Sequence, residues 1–501
     1  MNVLIYSAPT PAMWRHYAMC LNIGALTIAT HTKHAGHNVK IIDGNVPGSL
    51  DDVLRDGFMP DILGISMLTM YGVFCMESIR KFIADVRNIS NPVVVFGGPG
   101  SSVLSEILLN EKLADYVVVG PGEEVFVELL SAIATGSAIS DVPSVVYLGA
   151  DGSCAQTVRA KFDGYSMPLP LDYSLMDITS YIIYREGNKK SFFISASRGC
   201  IYRCTFCYNE YFHACSYQPR PVSVVIAEMK FLVEQYGITD FNIMDECFGT
   251  DKAWLHELCN AIIAELPPVT WWCQHHGGTK TRDDYILMRK AGCCSVFIGV
   301  ESADPKMSQK IRKGLDLTRL PAEIDMLHEL GFEIWAAFIV GFPDETREQL
   351  LRTCEFMRSN KVDMFYINKF YLIPHTKEFE DLESSGKVTM PKTLAEFQAY
   401  LSPKHFPNYS KVPDIDLEVI ESFMSIISML DVLFGKGAFW SWSHLSALIK
   451  SRSKGSGRGL RYLFSGFVET FGMLWDVCAH PFIRRRYGLL LRNFQRHFRS
   501  E

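Results

Sequence analysis

Three cysteines with a spacing suited to metal binding lie near the middle of the chain. The segment reads Cys200-Ile201-Tyr202-Arg203-Cys204-Thr205-Phe206-Cys207, so the thiols are four and three residues apart. Three thiolates in one short loop supply three of the four protein ligands that a [4Fe–4S] cluster requires. The fourth iron would be open to the amino and carboxylate groups of S-adenosylmethionine (SAM), whose sulfonium could accept an electron and yield a 5′-deoxyadenosyl radical.

Zinc is the other metal that this cysteine group could hold. Zinc prefers four protein ligands and CxxC pairs, so His213 or Cys215 would have to complete the set. Three unrelated buried thiols are a further alternative. The position of the motif favours the cluster, because it directly follows a predicted strand that opens a β/α series.

The segment resembles the signature of the radical SAM superfamily, in which an aromatic residue precedes the last cysteine. The resemblance is to the cobalamin-binding branch, covers about residues 1–380 and is greatest from Ser197 to Thr346. Four further segments match that branch: Asp245-Glu246-Cys247-Phe248, Gly299-Val300-Glu301-Ser302, Ile311-Arg312-Lys313-Gly314 and Gly341-Phe342-Pro343-Asp344-Glu345-Thr346. The resemblance implies a class B methylase-like enzyme with a [4Fe–4S] cluster, SAM and cobalamin as cofactors.

The matching segments also imply where SAM binds. Asp245 or Glu246 would accept the ammonium group and Arg312 would meet the carboxylate. Other residues would contact the sugar, the methionyl end or the adenine. The predicted SAM contacts are Phe206, Asp245, Glu246, Gln274, Glu301, Ser302, Arg312, Gly341 and Phe342.

Side chains that could take part in the reaction follow the cysteine loop and the third strand of the second domain. Tyr208 and His276 are the catalytic candidates, and Tyr211 and His213 could line the same cavity. Adjacent residues of a strand face opposite ways, so at most one of His275 and His276 is expected to face the substrate.

A β/α series occupies the first part of the chain. The segments NVLIYS, VKII, ILGIS, VVVF and YVVV read as five buried parallel strands, which predicts a doubly wound, Rossmann-like or flavodoxin-like sheet. Such sheets bind ligands at the carboxyl ends of their strands. Small residues in three of these loops predict close contact with a large flat ligand, taken to be cobalamin from the resemblance. The predicted cobalamin contacts are Ser66, Thr69, Gly97, Gly98, Gly120, Gly122 and Glu123.

The front domain departs from many cobalamin proteins in one respect. It lacks the DxHxxG pattern that provides a histidine to cobalt, and the nearest match, from His31 to His37, lies on a helix and before the second strand. No GxGxxG follows the first strand, so a dinucleotide is not favoured. Cobalamin binding is therefore expected without a protein histidine on cobalt.

A second β/α series begins near residue 191. Six predicted strands alternate with helices such as Val222–Tyr236 and Arg347–Ser359, which predicts a partial (β/α)6 barrel of the TIM type with its site at the strand carboxyl ends. The predicted division of the chain is a cobalamin-binding domain at 1–140, a connector at 141–190, the barrel at 191–385 and a helical C-terminal domain at 386–501.

The overall composition limits the class of protein. The chain has 501 residues, 48% of them hydrophobic, and its 14 scattered cysteines do not form a secreted disulfide framework. We expect a cytoplasmic location from the absence of a signal peptide or a membrane span. The net charge of -6 argues against nucleic acid as a partner.

The last fifty residues form a basic and aromatic tail. Residues 450–501 contain 11 Lys and Arg against 3 Asp and Glu, including the run Arg484-Arg485-Arg486. This segment could make peripheral contact with an anionic membrane, or it could be a helical cap over the barrel with its arginines in water. The cap is the commoner outcome for such a sequence.

The favoured function is a cobalamin-dependent radical methylation of an unactivated carbon in a small natural-product or lipid-like molecule. An electron donor such as flavodoxin or ferredoxin would be its protein partner. Two alternatives remain open at this point: a radical SAM cyclase, oxidase or rearrangement enzyme without methyl transfer, and a non-enzymatic zinc or iron–sulfur protein.

Overall fold

The computed structural model describes residues 1–11, 21–46, 50, 53, 57–160, 169–185, 189–360, 362–402, 407–412 and 417. Met1–Ile183 and Lys189–Glu421 form one compact unit. Most of the predicted C-terminal domain, including the basic tail, lies outside the described residues, so those predictions stay predictions. The described part contains no helix with the length and hydrophobicity of a membrane span.

The first domain is built on a seven-stranded sheet. Five parallel strands of β-branched and aromatic residues run in the order β2-β1-β3-β4-β5, as the apolar segments predict. The strands are β1 (Asn2–Ser7), β2 (Asn38–Asp43), β3 (Ile62–Ser66), β4 (Val93–Gly97) and β5 (Tyr116–Val118). Separate apolar cores cover the two faces of the sheet, which is the doubly wound arrangement.

Two short antiparallel strands extend this sheet beyond the expected five. β6 (Val145–Leu148) pairs with β5, and β7 (Cys154–Gln156) pairs with β6. Both strands lie in the predicted connector, where weak periodicity gave no indication of them. The helices of this domain are α1 (Ile23–His34), α2 (Met76–Arg87), α3 (Pro99–Val103), α4 (Ser105–Asn110) and α5 (Glu123–Thr135).

The second domain is an open, curved sheet whose six long strands are parallel, with helices between them. Its order is β16-β15-β14-β13-β12-β9-β8. The strands are β8 (Ile183–Tyr184), β9 (Lys190–Ile194), β12 (Ile238–Ile243), β13 (Thr270–His275), β14 (Cys293–Glu301), β15 (Glu333–Val340) and β16 (Met364–Lys369). The six long strands agree with the six predicted β/α units and form a partial barrel of the TIM type.

The helices of the second domain lie between these strands, and two further helices follow the last strand. They are α6 (Asn209–His213), α7 (Val222–Tyr236), α8 (Lys252–Glu265), α9 (Arg282–Lys290), α10 (Pro305–Lys310), α11 (Leu320–Glu329), α12 (Arg347–Ser359), α13 (Lys377–Ser384) and α14 (Leu394–Tyr400). Helix α14 packs against the front domain, since Leu394 and Phe397 join the core of that domain.

Candidate functional site

A cavity of about 640 Å³ lies between the carboxyl ends of the two sheets. Its walls come from the loops after β1, β3, β4 and β5 on one side, and from the cysteine loop and the ends of β12 to β14 on the other. Cys200, Cys204 and Cys207 all line it. Parallel sheets collect loop residues at one edge, and here two such edges face each other.

The cysteine loop is held by a small antiparallel ribbon. β10 (Ser197–Gly199) enters the loop and pairs with β11 (Tyr217–Pro219), which leaves it. Gly199 has a φ of 73°, and a Cβ there would lie 2.1 Å from the Ser216 carbonyl oxygen, so only glycine fits directly before Cys200. Asn209 closes the loop by donating from Nδ2 to the Cys200 carbonyl oxygen at 2.6 Å.

The environment of the three thiols suits a bound cationic cluster. Burial raises the pKa of Cys204 and raises that of Cys207 to about 12, so thiolates there need a positive group in contact with them. All three cysteines are free thiols and none is fully buried. The three thiols therefore provide donors of the type that a [4Fe–4S] cluster takes, all on the wall of one cavity.

A fourth thiol, Cys247, lies beside this group. It is buried, lines the cavity and shares a hydrogen bond with the Cys200 thiol. That hydrogen bond lowers the pKa of Cys247 to about 6 and raises the pKa of Cys200. Iron binding requires the Cys200 thiolate, so the shared proton would then belong to Cys247. The segment Asp245-Glu246-Cys247-Phe248 matches the family pattern, but the pattern carries no sign of that contact.

The two acidic residues after β12 have different environments. Asp245 accepts hydrogen bonds from the Ala196 amide at 2.8 Å and the Ser197 hydroxyl at 2.6 Å, so it supports the base of the cysteine loop. Burial raises the pKa of Asp245 to about 7. The Glu246 carboxylate opens onto the cavity, accepts from the Gly199 amide at 3.0 Å and pairs with His213 at 3.3 Å. Glu246 is the better placed acceptor for an ammonium group.

The end of β13 brings three polar residues to the cavity, Gln274, His275 and His276, although at most one of the two histidines was expected to face it. His276 stacks on Tyr202 of the cysteine loop, with ring centroids 3.8 Å apart. Its two ring nitrogens lie 2.8 Å from the carbonyl oxygens of Gly277 and Lys313. The ring nitrogens of His275 contact the His276 carbonyl oxygen at 2.8 Å and the Tyr285 hydroxyl at 3.4 Å. These contacts make both histidines structural supports of the cysteine loop and the cavity wall.

A buried ion pair lies where β14 ends. The Lys313 ammonium is 3.1 Å from the Glu301 carboxylate, and both side chains are about one-tenth exposed (12% and 11%). Glu301 has a φ of 63°, a strained conformation for a residue with a side chain and often a mark of a functional site. A Cβ on Gly299 would lie 2.5 Å from Glu301 Oε1, so glycine is needed under the pair. Burial alone would lower the pKa of Lys313, but the negative charge of Glu301 outweighs that effect and raises it.

Four predicted SAM contacts do not line the cavity. Arg312 is exposed and has a φ of 54°, and its neighbour Lys313 faces the site instead. Ser302 is fully buried and bonded to Thr353 at 3.3 Å. Gly341 and Phe342 lie behind the wall, where Phe342 packs in an apolar core. Phe206 does line the cavity and contacts that core through its ring.

The front-domain residues predicted to bind cobalamin all line the cavity: Ser66, Thr69, Gly97, Gly98, Gly120, Gly122 and Glu123. A Cβ on Gly97 would meet only Val118 at 4.0 Å, so space remains above this loop for a flat ligand. Among the described front-domain residues that line the cavity there is no histidine. Glu123 does not stand alone, since it pairs with Arg198 of the second domain.

The two tyrosines predicted near the cavity have separate positions. Tyr208 lines it, and burial raises its pKa. Tyr211 lies outside the lining, where it stacks on His375 with ring centroids 4.3 Å apart and donates to the Ser102 carbonyl oxygen. Tyr211 therefore joins the two domains.

Two family models match the regions that form this cavity. Residues 194–357 match the radical SAM superfamily, and residues 17–130 match the B12 binding domain. The chain is a radical SAM enzyme with a B12-binding domain. Its cofactors are accordingly a [4Fe–4S] cluster, SAM and cobalamin, and the non-enzymatic alternative is set aside.

Relatives and a solved structure agree with this assignment. An uncharacterised methyltransferase of Pyrococcus horikoshii is 28% identical over 65% of this chain and 71% of its own. An anaerobic magnesium-protoporphyrin IX monomethyl ester cyclase of Rubrivivax gelatinosus is 26% identical over 72% of this radical SAM enzyme and 66% of its own length. The fold resembles that of the radical SAM methyltransferase TsrM from Kitasatospora setae, whose structure contains cobalamin and a [4Fe–4S] cluster. The TM-score is 0.68 at 18% identity, and the match covers 91% of this chain and 99% of that chain. At this identity the likeness concerns the fold.

Proposed function

We propose that this radical SAM enzyme transfers a methyl group to an unactivated carbon of a small, largely apolar molecule, with cobalamin in the front domain and a [4Fe–4S] cluster on Cys200, Cys204 and Cys207. One observation carries the proposal: a single cavity joins the cysteine loop to the glycine loops of the front domain. When bound, the cluster supplies the electron that cleaves SAM, and cobalamin supplies the methyl group.

The residues around the cysteine loop are suited to hold the methionyl part of SAM. Glu246 presents a carboxylate to an ammonium group, with its own position held by the Gly199 amide and His213. Lys313 presents an ammonium to a carboxylate, and Glu301 keeps it in place. These groups give opposite charges on two sides of the loop, which matches the zwitterion that would chelate the open iron.

The front-domain loops are suited to hold a corrin ring. Their small residues leave room for a flat macrocycle, while the strand residues Ile5, Val95 and Val118 add apolar side chains to the lining. No histidine from the described front-domain lining reaches the cavity, so we propose that cobalt has no imidazole ligand from this domain. Such a cofactor would be bound by shape and by backbone contacts.

The remaining space favours an apolar substrate. Leu68 from the front domain and Met244 from the second domain line the cavity with 45% and 44% of their surface exposed, which is unusual for large apolar side chains inside a protein. Phe193 and Trp272 continue the apolar wall along the inner face of the barrel. A substrate that covers these side chains gains binding free energy from their burial.

The test begins with protein purified without oxygen and loaded with iron, sulfide and hydroxocobalamin. Incubation with SAM and titanium(III) citrate should yield 5′-deoxyadenosine together with S-adenosylhomocysteine. A variant with alanine at Cys200, Cys204 and Cys207 should lose iron and 5′-deoxyadenosine, whereas Cys215→Ala, in the same loop but outside the cavity, should retain both. Iron and SAM cleavage that survive in the triple variant would refute the cluster assignment.

A cyclase or oxidase without methyl transfer is the second candidate. It is favoured by the relative that is named a magnesium-protoporphyrin IX monomethyl ester cyclase. The same assay separates the two candidates, because this reading requires 5′-deoxyadenosine without S-adenosylhomocysteine from cobalamin-loaded protein. Cobalt analysis of the purified protein gives an independent measurement.

The proposal includes a small electron-transfer protein, such as flavodoxin or ferredoxin, and a reducing cytoplasmic location. Free thiols around the cavity support the latter, since they would oxidise elsewhere. Reduction of the cluster by purified flavodoxin, followed by visible absorbance, tests the partner. Membrane contact through residues 450–501 stays a separate prediction, tested by liposome flotation of the wild type against a variant neutralised at Arg484, Arg485 and Arg486.

A further inference from the structure

One arginine of the cysteine loop reaches across to the front domain. Arg198 precedes Gly199 and Cys200, and its guanidinium forms an ion pair with the Glu123 carboxylate. A second nitrogen of the same group lies 3.4 Å from the Thr27 hydroxyl on α1. Arg198 and Glu123 both line the cavity, one from each domain.

The position of Glu123 makes this pair a link between the two predicted cofactor sites. Glu123 is the first residue of α5 and directly follows the Gly120-Pro121-Gly122 loop, which lines the front part of the cavity. On the other side, a single residue, Gly199, separates Arg198 from Cys200. The ion pair therefore connects the glycine loop to the cysteine loop through very little intervening chain.

Burial distinguishes this pair from an ordinary surface contact. The side chains of Arg198 and Glu123 are 17% and 4% exposed, whereas those of Arg203 and Glu210, a pair in the same region, are 66% and 52% exposed at 3.5 Å. Removing two charges from water costs free energy that a buried pair often fails to recover, so such a pair adds little net stability. Its attested use is to fix one arrangement among several, which is a positional role.

We propose that the Arg198–Glu123 pair is a positioning device that sets the distance and orientation between the cluster and cobalamin. The inference rests on the proposed function, because it needs both cofactors in the cavity. As a positioning residue, Arg198 touches neither the cluster nor cobalamin and acts through the loops that it joins. Its loss should disturb the geometry between the cofactors more than the binding of either one.

A second bridge should keep the domains together when this pair is removed. Arg159 donates to the Val119 carbonyl oxygen at 2.8 Å and to the Tyr211 carbonyl oxygen at 2.6 Å, and Tyr211 donates to Ser102. These contacts use different residues on the same interface. We therefore expect Arg198→Gln to fold and to load both cofactors, and Glu123→Gln to fold and to load the cluster.

The experiment measures the magnetic interaction between cob(II)alamin and the reduced cluster by electron paramagnetic resonance, in protein loaded with both. Arg198→Gln should keep the iron and cobalt content of the wild type but change the interaction, and Glu123→Gln should change it likewise in the fraction that binds both cofactors. The double variant should do no more than either single one, because the two residues act as a unit. Arg203→Gln is the matched control and should leave the spectrum unchanged.

The outcomes separate this inference from the proposed function. If the wild type binds no cobalamin or no cluster, the proposed function fails. If the wild type binds both and Arg198→Gln gives the wild-type interaction, only the positioning role is overturned. A loss of iron in both single variants, with an unchanged interaction in the fraction that remains loaded, would likewise overturn it and leave the pair a structural support of the loop.

Discussion

A buried ion pair behind the cysteine loop offers a quantitative test of how the site is supported. Arg220 and Glu228 are 2% and 3% exposed, and Arg220 Nη2 lies 2.5 Å from Glu228 Oε2. Arg220 also donates to the Ser195 carbonyl oxygen at 2.7 Å, just before the ribbon that carries the cysteines. The Tyr173 hydroxyl donates to the other Glu228 oxygen at 2.8 Å. We expect Glu228→Gln to leave the Arg220 charge uncompensated in the interior.

The size of the effect follows from the burial of the pair. Breaking a buried ion pair by removing one partner costs about 3–5 kcal/mol. For a domain about the size of the barrel, where 1 kcal/mol shifts the unfolding midpoint by about 2–4 °C, the midpoint should fall by about 6–20 °C. Exposed pairs contribute only about 0.2–1 kcal/mol, so their loss should lower the midpoint by less than about 4 °C.

The same helix provides a matched control. Lys230 on α7 pairs with Glu265 at 2.7 Å, with 39% and 46% of the side chains exposed. Midpoints of Glu228→Gln and Glu265→Gln are compared with the wild type by anaerobic thermal unfolding, monitored by tryptophan fluorescence, to which Trp254 beside Arg220 contributes. Equal midpoint shifts in the two variants would show that burial does not control the cost and would refute the reasoning.

Three further predictions concern single side chains of the second domain. Lys313→Met should weaken SAM binding about 10- to 100-fold in equilibrium dialysis, because it removes a hydrogen bond between charged groups. Arg312→Met, at an exposed position, should leave the SAM affinity unchanged, and the opposite order of effects would contradict the assignment. Burial raises the pKa of Glu345 to about 7 from 4.5, so the stability that the protonated Glu345 contributes is full below pH 4.5 and lost as the pH rises through 7. In Glu345→Gln the thermal unfolding midpoint should therefore depend less on pH across that range, and an unchanged pH dependence would argue against this role. Cys247→Ala should make the reduction potential of the cluster more negative in spectroelectrochemistry, because it removes a hydrogen bond to the Cys200 sulfur. An unchanged reduction potential would count against that contact.

The sequence alone determined the two-domain architecture and the cysteine site. Buried parallel strands are continuous apolar runs, so local composition indicated five front strands and six barrel strands. The three thiols are close in the chain, and their spacing carries the chemistry without knowledge of the fold. The front strands β6 and β7 were missed because they have only four and three residues, too few to show a periodic pattern within a turn-rich segment.

Only the tertiary structure decided which side chains meet in the cavity. Arg312 and Lys313 are neighbours with the same charge, and only the fold shows that Lys313 faces the site while Arg312, at a positive φ, is exposed. The contacts of Arg198 with Glu123, 75 residues away, and of Cys247 with Cys200 depend on how separate strand ends come together. Side-chain direction and long-range contact leave no periodic signal in a sequence, because they are set by backbone angles and packing that many sequences share.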